Sequence, residues 1–508
     1  MSAPETRRAA WHQKRRYVAF VDAGTGAAVT EDGHAGQLPP GFTVGALLDT
    51  IPGTLDRVYL VGEPAAGWQA WGLGLGGDHA TRWVDGEHYL NEGAPALRYV
   101  HRLSGRPVEI RSAGEWFAGV TTIADARAAW ELLAYRLPRI ADGAQPLAGP
   151  AVTGKDVLAR LLPRDGVFPV LEESLRAQIH ATAPQARFTL VERQKGVKTM
   201  PGLVMFDGRV MYGGCLRGEI GSGPVDVHEY GNPMPWDELE PAEQYLPGRV
   251  TADVIVPAGW DRVGILPVPE GGGALDQYRW PHEPGERFTG TWDAAEVNLA
   301  ARHGWDVRIR QHVRMSKGRP LDKWATACER EARAIDADAE KIGPVVARLA
   351  SRAIRAMVLT AVGSFATRAH RVTHKGTPEE LPRGVSEWSH VETGPAAGSI
   401  VWTTSATPAA GRWTHPEWSA QVWAKARLWM LEAPTGSPGV KAGALHVPAG
   451  DVVAIRADAL YLTRDPGWPD DGRCGRLRRQ GVTLARRPWP AQWRDLARYT
   501  NEIKGGEL

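Results

Sequence analysis

Cysteine is scarce in this chain of 508 residues. Its three cysteines, Cys215, Cys328 and Cys474, lie far apart, without the paired spacing of a zinc site or a disulfide framework. A run of about 18 apolar residues, as a membrane-spanning helix requires, is missing, and the basic N-terminus lacks the apolar stretch of a signal peptide. We therefore expect a reduced, cytoplasmic protein that does not associate with a membrane.

Several motifs of familiar enzyme classes are also absent. The sequence contains no Gly-x-x-x-x-Gly-Lys-Ser/Thr phosphate loop, no Gly-x-Ser-x-Gly nucleophile elbow and no His-Glu-x-x-His metal motif. Gly72, Gly74 and Gly77 do match the spacing of a dinucleotide-binding fingerprint. That fingerprint needs a strand before it and a helix opening within it, and the flanking residues predict neither. We interpret this segment as a glycine-rich loop.

The formal net charge of +2 says little about partners, because nucleic-acid binding depends on local clusters of Lys and Arg. Such clusters lie at 308–319, 330–368 and 473–487. Any one of them could be an ordinary solvated surface, but all three fall in the part of the chain that carries the acidic motifs described below. The length and the ordinary composition, with 43% hydrophobic and 23% charged residues, predict a globular protein of about two or three domains.

The N-terminal part of the chain has the pattern of an α/β domain. Tyr17–Val21 and Val58–Val61 are typical of short buried strands, and Ile123–Leu137 has the spacing of an amphipathic helix. A turn-rich stretch follows this helix. We therefore expect an N-terminal domain over residues 1–142 and a second domain over residues 143–508.

The second part of the chain alternates between strand and helix patterns. Residues 320–367 predict an almost continuous helical region with one break at Gly343-Pro344. A further helix is predicted to begin at Thr414, which has capping-box spacing to Glu417, and to run to about Glu432.

Two aspartates stand out because each is next to short apolar runs. Asp207 ends the run Leu203–Phe206 and is followed by Gly208, which allows the backbone to approach a phosphate. Asp458 ends a predicted three-residue turn, Arg456–Asp458, in a β-hairpin. Phosphoryl transfer by two metal ions needs only a few carboxylates on rigid elements, because substrate phosphates and water complete the coordination of Mg²⁺. Taken singly, each motif is also compatible with an ordinary turn.

Three segments, around Asp207, Arg355 and Asp458, resemble in this order motifs A, B and C of the palm of a family B DNA polymerase. Asp207 and Tyr212 match the Asp-x-x-x-x-Tyr pattern of motif A. Asp458 matches the second aspartate of motif C, whereas Arg456 replaces the first and Ala454 replaces the motif tyrosine. The resemblance implies that Asp207 and Asp458 are catalytic and hold two Mg²⁺ ions, for which Mn²⁺ can substitute, and that Tyr212 excludes a 2′-hydroxyl group.

The resemblance implies further contacts with substrate. The stretch from Arg355 to Gly363 resembles motif B, with Arg355 at the lysine position and Thr360 at the serine position. Residues implied in nucleotide binding are therefore Tyr212, Arg355, Thr360 and Gly363, with Arg330, Arg333 and Lys341 on the preceding helical segment as additional cations. Gly475-Arg476-Leu477-Arg478 resembles the segment after motif C, which implies that Arg478 and Arg476 contact DNA.

The N-terminal domain corresponds in position to the 3′–5′ exonuclease of family B enzymes, which is built on an RNase H-like sheet. Asp22 lies where the Asp-x-Glu metal motif of such a domain begins, but Gly24 occupies the glutamate position. Proofreading is therefore not expected, and Asp22 is the residue that an exonuclease role would use.

The resemblance predicts an α/β (α+β) fold, with a polymerase palm built on an antiparallel sheet, a helical fingers insertion at about 310–368 and a reduced thumb after about 465. The expected activity is template-directed DNA synthesis in the replication of a plasmid, phage or integrated element. Primer–template DNA and deoxynucleoside triphosphates are the expected partners, with a terminal protein as a further candidate primer. Two alternatives stay open: a diverged DNA-binding accessory protein of replication or telomere maintenance, and a metal nuclease that uses Asp22.

Overall fold

The computed structural model describes residues 17–505, apart from 74, 76, 87, 89–94, 163–169, 192–196, 271–277, 367–369, 382, 384–386, 392–398, 407–413 and 484. The chain packs into two compact units. Unit 1 comprises Met1–Pro163 and Thr326–Ala409, and unit 2 comprises Arg164–Ala325 and Ala410–Leu508. Among the described helices, none is long and apolar enough to cross a membrane. The domain boundary near residue 142 stays a prediction.

The first segment of unit 1 contains the following strands and helices, in chain order: β1 (Val18–Asp22), β2 (Ala27–Thr30), β3 (Ala35–Gln37), α1 (Val44–Thr50), β4 (Arg57–Val61), α2 (Gly67–Leu73), α3 (Asp78–Arg82), β5 (Trp83–Asp85), β6 (Ala96–His101), β7 (Pro107–Ser112), α4 (Ile123–Ile140) and α5 (Pro150–Leu161). The strands form one sheet in the order β3-β2-β1-β4-β7-β6-β5. Strand β4 pairs in parallel with β1 and β7, and the other pairs are antiparallel. The predicted α/β character of this region, its two strands and its helix are confirmed.

The first segment of unit 2 contains α6 (Glu173–Thr182), β8 (Phe188–Leu190), β9 (Thr199–Met200), β10 (Leu203–Gly208), α7 (Met211–Leu216), β11 (Ile220–Pro235), α8 (Pro241–Gln244), β12 (Gly248–Ile255), β13 (Val268–Pro269), β14 (Tyr278–Arg279), β15 (Arg287–Asp293), α9 (Ala294–Arg302) and β16 (Asp306–Gly318). Strands β11, β16, β12 and β15 form an antiparallel sheet in that order. The prediction of a helical fingers insertion from about residue 310 is therefore wrong for residues 310–318, which belong to β16.

The helical region begins with α10 (Asp322–Ala337), α11 (Ala339–Ile342) and α12 (Pro344–Phe365), followed by β17 (His370–Gly376), β18 (Glu387–Val391) and β19 (Ser399–Ala406). The predicted break at Gly343-Pro344 is confirmed. Gly343 has φ 103°, which disfavours residues with a side chain, and Pro344 occupies the first turn of α12, where its missing N–H costs nothing. In unit 1, α12 packs against α4 and α5.

The second segment of unit 2 contains α13 (Pro416–Leu431), β20 (Ala433–Pro434), β21 (Lys441–Ala442), β22 (Val452–Arg456), β23 (Ala459–Leu462), β24 (Leu477–Thr483), β25 (Arg487–Pro488) and α14 (Trp493–Gly505). Strands β24, β10, β23, β22 and β8 form one sheet in that order. The helix predicted to start at Thr414 starts one residue later, with His415 as its N-cap, and His415 bonds the Glu417 carboxylate at 2.7 Å.

Helix α13 is the central packing element of unit 2. It is buried along almost its whole length and contacts α6, α7, α9 and β11. A buried ion pair fixes its orientation, because Arg427 is 1% and Glu296 2% exposed, and Nε of Arg427 lies 2.8 Å from the Glu296 carboxylate. Arg427 also donates to the carbonyl oxygen of Pro184. Removal of one partner from such a pair leaves a buried uncompensated charge and costs about 3–5 kcal/mol.

His312 provides a test of this core. It lies on β16 with 0% exposure, and neither ring nitrogen has a hydrogen-bond partner among the described residues. Burial, then the positive charge of Arg314, lowers its pKa from 6.5 to about 4. As the pH falls from 6.5 to about 4, this histidine becomes protonated in the unfolded chain while it stays neutral in the folded protein. The free energy of unfolding therefore decreases by about 3 kcal/mol.

We expect urea denaturation at pH 7, 5 and 4 to show that His312→Leu removes this part of the acid sensitivity. The control is His282→Leu, which changes a half-exposed imidazole of the same unit and leaves the pH dependence close to wild type. Equal pH profiles for the wild type and His312→Leu would contradict a buried neutral histidine.

Candidate catalytic site

The strand that carries Asp207 lies between two strands that come about 250 residues later in the chain. Strand β10 pairs antiparallel with β23 on one side and with β24 on the other. Its residues Leu203–Phe206 are all buried, which explains why this apolar run forms an interior strand. Asp207 lies opposite Ala459 of β23 and Arg478 of β24, where the buried run ends.

Asp458 lies in the turn of the β22–β23 hairpin. Arg456 pairs with Ala459, so the turn consists of Ala457 and Asp458 and is one residue shorter than predicted. Ala457 has φ 53°, the left-handed conformation that two-residue hairpin turns require. The amide of Gly208 donates to the carbonyl oxygen of Asp458 at 2.8 Å. The backbone thus places Asp207 on β10 and Asp458 in the turn that leads into the adjacent strand β23.

The carboxyl group of Asp458 is partly removed from water. Burial raises its pKa, and the one opposing influence is a hydrogen bond from its own backbone. Among the described residues, no cationic side chain contributes to this pKa. Asp458 therefore carries a desolvation cost that no ion pair within the described part of the chain offsets.

Tyr212 lies close to Asp458. It is in the first turn of α7, which follows the left-handed residue Val210, φ 47°. Burial and then the negative charge of Asp458 raise the pKa of Tyr212 to about 12, so the phenol is neutral and within electrostatic reach of that carboxylate. A side chain at Gly208 would collide with Met211 of α7. Gly208 thus makes room for the helix that carries Tyr212.

Gln480 is a site residue that sequence reasoning missed. Its side-chain amide donates to Oδ2 of Asp207 at 3.2 Å. Strand β24 has an irregular register at this point, because Met205 pairs with Gly481 and Phe206 pairs with Arg479. The extra residue is Gln480, and the resulting bulge brings its side chain to Asp207. No sequence motif marks such a bulge.

The two predicted DNA-contacting arginines have different surroundings. Arg476 lies 3.3 Å from Asp471 and donates to the carbonyl oxygen of Pro434 at 3.0 Å, so it stabilises the loop before β24. Arg478 lies opposite Asp207, and its buried Nε has no hydrogen-bond partner among the described residues. Arg209, beside Asp207, is paired with Asp470 at 2.8 Å.

The predicted nucleotide-binding residues other than Tyr212 lie in unit 1. Arg355 on α12 bonds Asp336 at 2.8 Å and lies 3.5 Å from Glu329, and both carboxylates belong to α10. Arg333 also bonds Glu329, at 2.8 Å. The hydroxyl group of Thr360 donates to the backbone of its own helix. Arg330 is exposed on α10, Lys341 lies on α11 and Gly363 lies near the end of α12. Their roles in nucleotide binding stay predictions.

Asp22, at the end of β1, has a local structural role. Its Oδ1 accepts hydrogen bonds from the amides of Gly24 and Thr25 at 2.9 and 2.7 Å, which lowers its pKa. The described residues contain no group of three or more His, Cys, Asp or Glu side chains that could hold a metal ion. The exonuclease role of Asp22 stays a prediction.

The glycine-rich segment differs in part from our interpretation. Gly74 lies outside the described residues. The segment after Gly77 does form a short helix, α3, which we did not predict. The segment before it is helix α2, and a dinucleotide-binding fingerprint requires a strand at that place.

Replacement of Asp458 tests its desolvation. Because burial raises its pKa, the folded protein gains stability when the carboxyl is protonated and loses it as the pH rises through the folded-state pKa. We expect Asp458→Asn to raise the midpoint of thermal unfolding at pH 7, and the gain to vanish near pH 3.5. The matched control is Asp451→Asn in the same hairpin. It removes the partner of Arg464 and Thr463, and we expect it to lower the midpoint. A destabilised Asp458→Asn protein at pH 7 would contradict the assignment.

Comparison with known proteins gives a fold but no family. No protein-family model and no curated protein sequence matches the chain. Among solved structures, an orthorhombic crystal form of phi29 DNA polymerase matches with a TM-score of 0.60 and 10% identity, covering 93% of this chain and 85% of that one. The ternary complex of phi29 DNA polymerase with primer-template DNA and incoming nucleotide substrates matches with the same identity and coverage and a TM-score of 0.58. Its complex with single-stranded DNA matches at 11% identity and a TM-score of 0.56. The chain therefore has a mixed α/β fold similar to that of phi29 DNA polymerase over 93% of its length.

Proposed function

We propose that this protein is a template-directed DNA polymerase of a reduced family B type that replicates a plasmid, phage or integrated element. The observation that carries the proposal is the convergence of the two acidic motifs. Asp207 lies on β10 and Asp458 lies in the turn that leads into the neighbouring strand β23, and the amide of Gly208 donates to the carbonyl oxygen of Asp458 at 2.8 Å. Tyr212 lies close to Asp458. The similar fold of phi29 DNA polymerase, solved with primer-template DNA and nucleotides, supports the same function.

The chemistry of the two carboxylates fits Mg²⁺. This ion is commonly held by one or two protein carboxylates together with water and substrate phosphates, so a denser acidic cluster is not needed. The uncompensated charge of Asp458 is the specific observation in favour of a cation at this place. Asp207 and Asp458 are the residues that would hold the metal, which supplies charge neutralisation for the transferring phosphoryl group. Mn²⁺ fits the same oxygen ligands.

The protein residues around the carboxylates position the reactants. In DNA synthesis the 3′ oxygen of the primer bonds to the α-phosphorus of the nucleotide, and the bond to the departing pyrophosphate breaks. Gln480 restrains the orientation of Asp207, and Tyr212 restricts space beside Asp458, where the sugar of the nucleotide is expected. Arg478 lies opposite Asp207 on the next strand, and in this proposal it would attract a DNA phosphate.

A second function is favoured by Arg456. This exposed cation occupies the hairpin position two residues before Asp458, where the resemblance places a carboxylate, and a positive charge there opposes metal binding. Arg355 is moreover held by Asp336 and Glu329. Both features are compatible with a diverged accessory protein that binds DNA without extending it. Such a protein would show DNA affinity that falls with salt, without a requirement for nucleotide.

Primer extension separates the two functions. The purified protein is given a labelled primer–template, all four deoxynucleotides and Mg²⁺ or Mn²⁺, beside Asp207→Asn and Asp458→Asn. We expect extension to fall about a hundredfold or more in each variant, because each loses a charge that faces the transferring phosphoryl group. Asp22→Asn, which changes a turn carboxylate outside the proposed polymerase site, is the control and should extend normally. A folded wild type that binds primed templates and never extends them favours the accessory function.

Gln480 is expected to act as a positioning residue. Gln480→Ala removes the hydrogen bond to Asp207 and should lower the extension rate about 10- to 100-fold, as loss of a support for a metal-binding side chain does. The rate should recover in part at higher Mg²⁺ concentration, because a less restrained Asp207 binds the metal more weakly. The control is Gln244→Ala, a side chain bonded to the backbone of Trp236 and Leu239. An unchanged Mg²⁺ dependence of Gln480→Ala would refute the positioning role.

A further inference from the structure

Unit 2 contains a cavity of about 630 Å³ beside β8, an edge strand of the sheet that carries Asp207. This volume lies within the range of about 300–1,000 Å³ that is typical of small-molecule sites. The wall of the cavity includes the aromatic side chains of Phe188, Tyr278 and Trp280. Phe188 is 47% exposed, so its ring is open to an incoming molecule. The cavity therefore has the size and the aromatic wall of a ligand site.

The guanidinium group of Arg187 belongs to the wall of this cavity. Its Cζ atom lies 4.1 Å from the centroid of the Trp280 ring. Nε donates to Oγ1 of Thr189 at 3.0 Å, and Nη1 donates to the carbonyl oxygen of Gly264 at 2.7 Å. All three of these partners line the cavity, so the guanidinium group is held at its wall by residues that themselves face the cavity.

One terminal nitrogen of Arg187 is available to a ligand. Nη2 makes no hydrogen bond within the described part of the chain. Arg187 as a whole is 1% exposed, but Nη2 is not an enclosed atom, in contrast to Nη1 of Arg249, which is buried without a partner. The small accessible area of Arg187 therefore includes a nitrogen that can donate to a molecule in the cavity.

The positive charge of Arg187 has no carboxylate partner. Burial, then the positive charge of Arg427, lowers the pKa of Arg187, and no acidic side chain among the described residues contributes to this pKa. Arg427, by contrast, is paired with Glu296, and Arg279 of the same cavity is paired with Glu286. A cation that is removed from water without a counter-charge is stabilised by an anion that brings oxygen acceptors to its N–H groups.

We propose that this cavity binds a small aromatic carboxylate, whose carboxylate group accepts a hydrogen bond from Nη2 of Arg187 and whose ring packs against Phe188. The exposed side chains of Glu270 and Glu283 line the same cavity. Their negative charges favour a singly charged carboxylate over a phosphate group with two charges. The proposal is independent of DNA synthesis, because none of the residues assigned to that reaction lines the cavity.

Isothermal titration calorimetry of the full chain at pH 7.5 tests the proposal with three probes: naphthoate, its neutral analogue naphthamide, and dAMP, which carries a phosphate on a planar base. EDTA is present, so that no metal ion holds the nucleotide at the proposed polymerase site. We expect naphthoate to bind, and naphthamide to bind about tenfold or more weakly, because it lacks the charge that pairs with Arg187. Binding of dAMP should also be weaker. Equal binding of naphthamide, or tighter binding of dAMP, overturns the assignment of a carboxylate ligand.

Arg187→Gln removes the charge and keeps a side-chain amide that can donate to the carbonyl oxygen of Gly264. We expect it to weaken naphthoate binding about tenfold or more, as loss of a charged hydrogen-bond partner does. Arg308→Gln, which changes an exposed arginine of the same unit paired with Asp306, is the matched control and should bind like the wild type.

Replacement of a buried arginine can disturb the fold, so a second variant leaves Arg187 in place. Ala449 lines the cavity, and Ala449→Trp fills part of its volume. We expect this variant to lose naphthoate binding while its thermal unfolding midpoint stays close to that of the wild type. Failure of naphthoate to bind to the wild type, or binding equal to wild type by either Arg187→Gln or Ala449→Trp, overturns the proposal.

Discussion

The antiparallel pairing of β10 with β23 is the constraint on which the candidate site depends. These strands come from segments about 250 residues apart, and nothing local brings them together. Their register is fixed from both faces of the sheet, because Leu203 and Met205 pack towards α14 while Phe206 on the other face packs against Trp468. A shift of the register by one residue would move the residues of each face to the opposite face of the sheet. The buried residues therefore fix the position of Asp207 relative to the turn that contains Asp458.

A second layer of constraint comes from charges enclosed in unit 2. The Arg427–Glu296 pair joins α13 to α9, and α9 begins at the buried carboxylate of Asp293. Arg187, also buried, lies over the ring of Trp280, and burial lowers its pKa to about 9. Such groups add little net stability over an apolar core of the same shape, but each must meet its own partner, which disfavours alternative packings. Helix α13 contacts α7, so this interior also supports the helix that carries Tyr212.

The sequence predicted the elements whose pattern is local. The apolar run before Asp207, the hairpin around Asp458 and the helices flanking Gly343 all follow from periodicity and turn residues. The sheet of β11, β16, β12 and β15 was not predicted, although buried Val307 and Ile309 of β16 alternate with exposed charged residues, which is the period-two pattern of a strand. Gln480 was missed because its position beside Asp207 depends on a bulge relative to a distant strand.

A comparison of Asp458 with Arg355 shows that a position in a sequence motif does not determine whether the side chain has an ion-pair partner in the fold. The family resemblance implies that both residues contact substrate or metal. Arg355 is paired with Asp336 and Glu329. No cationic side chain in the described structure, by contrast, contributes to the pKa of Asp458. A partly buried carboxylate without a cationic partner is stabilised when a cation binds. A paired arginine must first break its existing ion pairs before it can bind a substrate phosphate. If the protein extends DNA, nucleotide binding at Arg355 therefore competes with an existing ion pair, and exchange of partners becomes part of substrate binding.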